Sequence, residues 1–245
     1  GNTALSRGAL SANTTGYGNV GIEHNAVSYC TTGIDNTGIG QDAGLRNVTS
    51  NYNTFLGAYA GYFPTSSNNT GLGWQALRYL TTGSNNTSLG SQAGDDLVTG
   101  SHNIAIGYNS QASATDSTGQ CTLGDSNIDN LRCNDTSISS LSDERDKTNI
   151  VDIPLGLDFL NTVRPVSFDW DRRDGSMVGR KAFGFVAQEL KVTADATDYA
   201  DHMRLVHDEN PDLLEADPMK MFPIVIKALQ ELSAKNEALL ARIVT

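Results

Sequence analysis

The stretch "NTGIGQDAGLRNVTSNY", residues 36–52, is one copy of a pattern that decides the fold of the first half of the chain. An asparagine begins each copy, Leu or Ile follows three residues later, and a small residue follows seven residues later. The regularity predicts an array of repeated structural units. The lead residues are Asn2, Asn19, Asn36, Asn53, Asn69, Asn86 and Asn103, at spacings of 17, 17, 17, 16, 17 and 17 residues.

A single unit holds too few apolar side chains to offset the entropy of ordering its backbone, so the units must stack on one another. Frequent Gly, Asn and Thr, without helical spacing of apolar residues, predict short strands joined by turns. Stacking places like residues above like residues, and we expect Asn and Thr ladders at the turns. The Leu/Ile position is expected to form an inner row of the stack; its members are Leu5, Ile22, Ile39, Leu56, Leu72, Leu89 and Ile106.

These repeats resemble the "NTAIG…A" layers of trimeric autotransporter adhesin heads and the β-rich shafts of phage tail fibres. The resemblance covers residues 1–112 and implies a trimeric β-solenoid or β-helix-like shaft. A monomeric β-solenoid is the open alternative, but the low hydrophobicity of each unit favours a core shared by three chains. Residues 113–141 lose the repeat but keep its composition, which predicts a β connector.

Charge density changes at Ser142. Residues 1–141 contain 9 acidic and 4 basic side chains, and residues 142–245 contain 19 and 13. This change predicts a boundary between two differently built domains. Both parts are net acidic, so neither has the basic surface that nucleic acid requires.

The rest of the composition bounds the class of protein further. Cys30, Cys121 and Cys133 have no metal-ligand spacing and are interpreted as small, semi-buried apolar residues. No apolar run is long enough for membrane insertion, and the N-terminus lacks a signal pattern. Because the sequence starts in the middle of the repeat pattern, we expect it to be part of a longer protein. No pattern indicates a cofactor or a metal site.

Residues 142–245 predict an α+β domain. Leu155, Phe159 and Leu160 share one face of a short helix that ends before Pro165. Further along, the sequence predicts a strand at "VSFDWD" (166–171), a strand turning into a helix at "KAFGFVAQEL" (181–190), and a polar loop at "VHDENPDLL" (206–214).

The chain ends in a long predicted helix with an apolar seam. The seam residues are spaced alternately by three and four positions, which is typical of a coiled coil with one polar residue in its core. The other possible use of this helix is packing on its own domain, and both uses can coexist. The seam comprises Phe222, Val225, Leu229, Leu232, Asn236, Leu239 and Ile243.

The stretch "SDERDKTNI", residues 142–150, raises a question of chemistry. A serine followed by acidic residues is a common helix N-cap, and from these residues alone capping is the better interpretation of Ser142. The stretch is followed in order by "LNTVRPVSFDWD", "GFVAQEL" and "MFPIVIKALQEL". Together the four motifs resemble the endosialidase-type intramolecular chaperone, the self-cleaving C-terminal domain of many phage tail spikes and tail fibres.

The resemblance implies a homotrimer in which this domain folds the shaft and then cuts itself off at Leu141–Ser142. It implies Ser142 as the nucleophile and Lys147 as the general base, with possible support from Asp143 and Arg145. The position before the lysine is often Leu in the family and is Asp146 here. A lysine acts as a base only when neutral, so burial or a nearby cation such as Arg145 is needed.

The expected protein is therefore a single-turnover serine peptidase within a virion tail fibre or tailspike, which does not act in trans. Its chaperone domain would be released in the host cytoplasm after assembly. Its expected partners are its own copies and a host surface glycan or protein, bound through the shaft or upstream regions. A different possibility is a surface adhesin stalk with a permanently attached trimerisation cap. A membrane-bound transcription factor of the myelin regulatory kind would need a DNA-binding domain and a membrane span, and neither is indicated.

Overall fold

The computed structural model describes residues 1–128, 130–134, 139–173, 175 and 177–244. The chain divides into two compact units, Gly1–Asn130 and Leu131–Thr245. The division falls eleven residues before the change in charge density at Ser142, which was the sequence-based boundary. The two units differ in kind, since the first is built of short strands alone and the second mixes helices with strands.

The first unit is a β-solenoid, as the repeat predicts. Eight strands of three residues each form one parallel sheet in chain order. Each residue pairs with its equivalent one repeat later, so that Thr37 lies beside Thr54 and Ile39 beside Leu56. The strands are β1 (Thr3–Leu5), β2 (Val20–Ile22), β3 (Thr37–Ile39), β4 (Thr54–Leu56), β5 (Thr70–Leu72), β6 (Thr87–Leu89), β7 (Ile104–Ile106) and β8 (Cys121–Leu123).

The eighth strand lies in the segment predicted to be a connector. β8 pairs with β7 in the same register as the earlier strands, with Leu123 beside Ile106. The solenoid therefore continues beyond residue 112, and in the described part of 113–141 this is the one strand.

The prediction that the Leu/Ile residues form an inner row is wrong for the folded chain. These side chains lie on the outer face of the sheet: Ile22 and Ile39 are partly exposed, and the other five have exposures that range from 38% at Leu72 to 64% at Leu5. Successive side chains of a strand alternate between its faces, so the middle residue points inward instead. The interior holds small residues together with larger ones: the alanines seven positions after the lead asparagines of the second to sixth units are fully buried, and so are Leu77 and Leu80.

The predicted asparagine ladder is confirmed. Asn36 donates its backbone N–H to the carboxamide oxygen of Asn19 at 2.9 Å, and its own Nδ2 to the carbonyl of Ser50 at 2.7 Å. The same contacts recur along the solenoid. Gln120 occupies the lead position in the eighth rung, where its backbone N–H donates to the carboxamide oxygen of Asn103. The carboxamides of the lead asparagines are thus hydrogen-bonded from rung to rung, as a buried polar group requires.

Glycine at the fourth position after the lead asparagine lets the rungs approach closely. Gly40 and Gly57 have φ of 123° and 132°, a region that side chains disfavour. A Cβ at Gly40 would also overlap the backbone of Gly57 in the next rung.

Phe55 is the largest side chain inside the solenoid. It is 1% exposed and takes the inward position that glycine occupies in β2, β3 and β5. Its ring fills the space left by Gly44, Gly61 and Gly71, each of which would bring a Cβ against it. One large ring therefore fills the interior of three successive rungs.

The second unit is α+β, as expected. It contains four helices and two antiparallel pairs of strands in its described residues. The first pair is β9 (Val166–Asp169) with β10 (Lys181–Gly184), and the second is β11 (Val206–His207) with β12 (Glu215–Ala216). The segment predicted as a polar loop thus begins with a short strand, β11. The helices are α1 (Leu157–Leu160), α2 (Ala187–Asp195), α3 (Ala200–Met203) and α4 (Phe222–Val244). The core of this unit comprises Phe159, Leu190, Ala194, Met203, Leu205, Met221 and Ile224.

Helix α4 divides its apolar residues between two faces. Ile224 and Ala228 are buried in its own unit. Leu229, Leu232 and the later seam residues remain largely exposed. The helix therefore packs on its own unit through one face, as one of the two predictions states. Most of the predicted seam lies on the other face and is exposed to solvent.

The cysteines do not share one environment. Cys30 is buried beside Leu10 and Val27, as the interpretation expected, but Cys121 and Cys133 are exposed. All three are free thiols.

Replacement of Phe55 by Ala is expected to destabilise the solenoid by about 3–5 kcal/mol, because the neighbouring glycines cannot fill the resulting cavity. Denaturant unfolding of the full chain, followed by circular dichroism, measures the effect. Tyr108→Ala, at an aromatic residue that is 63% exposed, is the matched control and should change stability by less than about 0.5 kcal/mol. Equal losses in both variants would contradict the interior role of Phe55.

Candidate functional site

Ser142 and Lys147 are in direct contact. Lys147 Nζ lies 2.6 Å from Ser142 Oγ and 3.0 Å from the backbone oxygen of the same serine. This is hydrogen-bond distance between a hydroxyl and an amine, the relation that an activated serine nucleophile has with its base. The five-residue spacing therefore does bring the two side chains together.

A single 3₁₀ turn, Glu144–Asp146, brings the lysine back to the serine. The cap of this turn is Asp143, whose carboxylate accepts the N–H of Arg145 at 2.9 Å. The turn closes where the N–H of Lys147 donates to the carbonyl of Glu144 at 3.1 Å. The interpretation of Ser142 as a helix cap is therefore wrong, since the next residue takes that role and leaves the serine hydroxyl to the lysine.

Arg145 is engaged by Asp143. The guanidinium donates to both oxygens of the carboxylate, at 3.0 Å from Nε and 2.6 Å from one terminal nitrogen. These hydrogen bonds lower the pKa of Asp143 and raise that of Arg145. The cation that was expected to act on Lys147 thus carries its own counter-ion, and its visible role is to hold the turn.

The site is open to solvent in the single chain. Leu141, which contributes the carbonyl next to Ser142, is 98% exposed, and both Ser142 and Lys147 are exposed as well. Burial is the usual means by which a protein favours a neutral lysine. The hydroxyl and the amine are therefore in contact, and this chain's own fold leaves the pair exposed to water.

A groove of ≈520 Å³ begins at Lys147 and continues beside the strip of residues 148–155. Its other wall consists of Tyr199, His202, Met203, Lys220, Pro223 and Ile224. Within the strip, Ile150 and Val151 are 63% and 82% exposed. The segment that follows the serine–lysine pair is thus an apolar strip that this unit leaves uncovered.

Helix α1 anchors the far end of this strip. Glu231 of α4 accepts the N–H of Leu157, the first residue of α1, at 2.9 Å. A Cβ at Gly156 would overlap this carboxylate, so a larger residue immediately before the helix would displace the Glu231 side chain. A carboxylate that satisfies free N–H groups and the positive end of a helix is stabilising, and here it joins α1 to α4.

In the described residues, no group of three or more His, Cys, Asp and Glu side chains is placed to hold a metal ion. Asp169 of the "FDWD" stretch faces Lys181 across the β9–β10 pair. No helix in the part of the chain that the structure describes is long and apolar enough to cross a membrane.

The fold and the site together define a class: a β-solenoid followed by an α+β unit that presents an exposed serine–lysine pair near its start. Residues 142–198 match the family described as chaperone of endosialidase. This part of the second unit is therefore similar to that family, and the match confirms the resemblance for the motifs that lie within residues 142–198. The fourth motif, "MFPIVIKALQEL" (221–232), lies beyond the matched residues. No curated protein and no solved structure matched the chain.

Removal of the carboxylate in Glu231→Ala is expected to weaken the start of α1 by about 1 kcal/mol, the usual worth of a helix cap. The amide of Leu157 should then exchange its hydrogen about fivefold faster, which nuclear magnetic resonance of the full chain measures. Glu237→Ala, at an exposed position of the same helix, is the control. Unchanged exchange at Leu157 would show that the carboxylate does not cap α1.

Proposed function

We propose that residues 142–245 form the intramolecular chaperone of a phage tail fibre or tailspike. The domain gathers three copies, supports folding of the solenoid shaft, and then releases itself by cleavage at Leu141–Ser142. The observation that carries this proposal is the 2.6 Å contact between Lys147 Nζ and Ser142 Oγ inside the region that matches the chaperone family. The shaft remains in the virion, and the released domain stays in the host cytoplasm.

The proposed reaction uses only groups of this chain and one water. Neutral Lys147 takes the proton of the Ser142 hydroxyl, and Oγ attacks the carbonyl carbon of Leu141. The Leu141–Ser142 C–N bond breaks, and the amine of Ser142 leaves with a proton. The resulting ester between Leu141 and Ser142 Oγ is hydrolysed by water, which leaves a carboxylate at Leu141 and restores the hydroxyl.

The attack is intramolecular, so proximity supplies much of the acceleration. The Ser142 hydroxyl attacks the peptide bond of its own residue with Leu141. After hydrolysis this bond no longer exists, so the site has no further substrate. The reaction is thus a single turnover in cis. It requires no cofactor, and Asp143 and Arg145 act as positioning residues that hold the turn.

The exposure of the site supports a requirement for assembly. Neighbouring copies would cover the apolar strip at Ile150 and Val151 and thereby remove water from Lys147. Desolvation favours the neutral amine, so the base becomes active only after the copies have gathered. Cleavage would then occur only in chains that have assembled.

Two exposed apolar surfaces support a homotrimer. One is the outward Leu/Ile column of the solenoid, with one residue on each of eight strands. The other is the seam of α4, where Leu229, Leu232, Leu239 and Ile243 are exposed. Repeated apolar residues at matched positions favour contact with an equal surface of another copy. Host attachment is assigned to the shaft or to regions upstream of it.

Cleavage of the expressed chain should give two fragments, with a new N-terminus at Ser142 and masses that sum to 26.1 kDa plus one water. Ser142→Ala should abolish it. Lys147→Ala and Lys147→Arg should each slow it by about 10²–10⁴-fold, because an arginine keeps the charge but does not accept the proton. Mass spectrometry of fresh protein locates the bond and the extent of reaction.

Ser140→Ala, at an exposed neighbouring serine, is the matched control and should cleave at the normal rate. An intact chain from the unchanged sequence would favour the adhesin stalk with a permanent cap. Cleavage that persists in Lys147→Ala would remove the lysine from its proposed role.

Leu232→Asp should weaken assembly by more than about tenfold, because a carboxylate would have to be buried in the seam. Light scattering measures the mass of the assembly, and the cleavage rate should fall with it. Gln230→Asp adds the same charge at an exposed position outside the seam and should preserve both. A monomer that still cleaves at Leu141–Ser142 would contradict the requirement for assembly.

A further inference from the structure

A column of planar side chains runs along the outside of the solenoid at the tenth position after the lead asparagine. Arg46, Phe63 and Tyr79 occupy this position in three successive rungs. The ring of Phe63 stacks on that of Tyr79, with centroids 6.1 Å apart and planes at 15°, and the guanidinium of Arg46 lies 5.4 Å from the centroid of Phe63. The result is a stack of three flat groups parallel to the solenoid axis.

Three neighbouring side chains widen this column. Tyr62 meets Phe63 edge to face at 4.6 Å, and Tyr59 lies 6.1 Å from Tyr62. The guanidinium of Arg78 lies 5.7 Å from the ring of Tyr59 and 5.0 Å from that of Tyr79. We call these six residues, Arg46, Tyr59, Tyr62, Phe63, Arg78 and Tyr79, the aromatic–arginine ladder.

The ladder is not needed to build the solenoid. The same tenth position holds Ala12 in the first unit, Asp96 in the sixth and Ser113 in the seventh. A repeat that tolerates alanine, aspartate and serine there does not depend on aromatic stacking for its fold. Large aromatic rings on a surface that does not need them point to recognition.

The charges of the ladder point to the kind of ligand. Residues 1–141 contain only 4 basic side chains against 9 acidic ones, and two of the four, Arg46 and Arg78, belong to the ladder. Among the described residues neither guanidinium forms an ion pair, and Nε of Arg78 is buried without a hydrogen-bond partner. Of the four rings, Tyr79 is exposed, and Tyr59, Tyr62 and Phe63 are partly exposed. Two guanidiniums without an ion pair beside these rings suit a ligand with a carboxylate and flat apolar faces.

We infer that the aromatic–arginine ladder binds an acidic glycan, a chain of sugars that carry carboxylates. The apolar faces of the sugar rings pack on the aromatic rings, and the carboxylates accept hydrogen bonds from Arg46 and Arg78. Rungs are separated by about 4.8 Å, so a glycan chain that runs along the solenoid contacts several rungs at once. This assignment rests on the host-attachment part of the proposed function and gives it a site and a ligand class.

Binding of the full-length chain to an array of surface glycans tests the inference. Each carboxylate-bearing glycan on the array is paired with its carboxyl-reduced form, so that charge is the one difference within a pair. The chain should bind acidic members and should lose about tenfold in affinity for the reduced forms. Arg46→Gln and Arg78→Gln should each cause a similar loss, which corresponds to one charge-assisted contact.

Phe63→Ala should also weaken binding, while Tyr108→Ala, at an exposed aromatic residue outside the ladder, should leave it unchanged. Circular dichroism and melting of each variant show that the solenoid is intact. Arginine variants retain the stacked rings, so they test the ligand even if Phe63→Ala perturbs the fold.

Three outcomes would overturn the assignment: no acidic glycan bound by the unchanged chain, equal binding of the reduced forms, or full binding by both arginine variants. Light scattering of the same samples shows whether the arginine changes lower the mass of the assembly. A lowered mass would assign the ladder to contact between copies and would likewise refute it. Cleavage at Leu141–Ser142, measured in parallel, separates failure of this site from failure of the chaperone function.

Discussion

The solenoid depends on the buried asparagine carboxamides, because they settle the register of every rung. Each carboxamide oxygen accepts the backbone N–H of the next lead residue, and each Nδ2 reaches a carbonyl at the neighbouring turn. A slip by one residue would leave these groups buried without partners, at a cost of about 1–3 kcal/mol for each group. The strands are only three residues long, so their own ladders are too short to enforce the register without this help. The asparagine contacts fix the register, and this register also aligns the apolar column, the glycine contacts and the aromatic–arginine ladder along the solenoid.

The second unit has a packed helical core, but its serine–lysine pair lies on the exposed surface. Its core holds the helices, and Glu231 ties α1 to α4, yet Ser142 and Lys147 lie on a small turn held by the Asp143–Arg145 pair. A surface ion pair of this kind contributes little stability and mainly orients the side chains near it. The chain thus sets the distance between hydroxyl and amine locally and leaves the pair, with Ile150 and Val151 nearby, exposed to water. In the proposed function, the contact is formed by the single chain, and desolvation of the lysine follows from assembly.

Much of the fold was predictable from the sequence, since periodicity states which residues stack. The asparagine ladder, the short strands, α2 and the long α4 all follow from spacing. Periodicity does not state which side of a three-residue strand faces inward, and for this reason the Leu/Ile row was placed on the wrong face. The interior contains alanines and glycines together with larger side chains, among them Phe55, Leu77 and Leu80. In the site, the five-residue spacing of Ser142 and Lys147 predicted their contact through the family resemblance, but a serine and an aspartate are both good caps. Only the backbone path showed that Asp143 takes that place.

The register of the sheet has a consequence for the evolution of shaft length. Because strand residues pair with their own equivalents, duplication or loss of one whole unit inserts or removes a rung while the strand register and the asparagine contacts are kept. Each such event would change the length by one strand spacing, about 4.8 Å, at constant cross-section. The 16-residue step between Asn53 and Asn69 shows that one residue can be lost at a turn while Thr54 still pairs with Thr70. Genetic change can therefore lengthen or shorten such a shaft in discrete increments, leaving the domain that follows it unaltered in sequence.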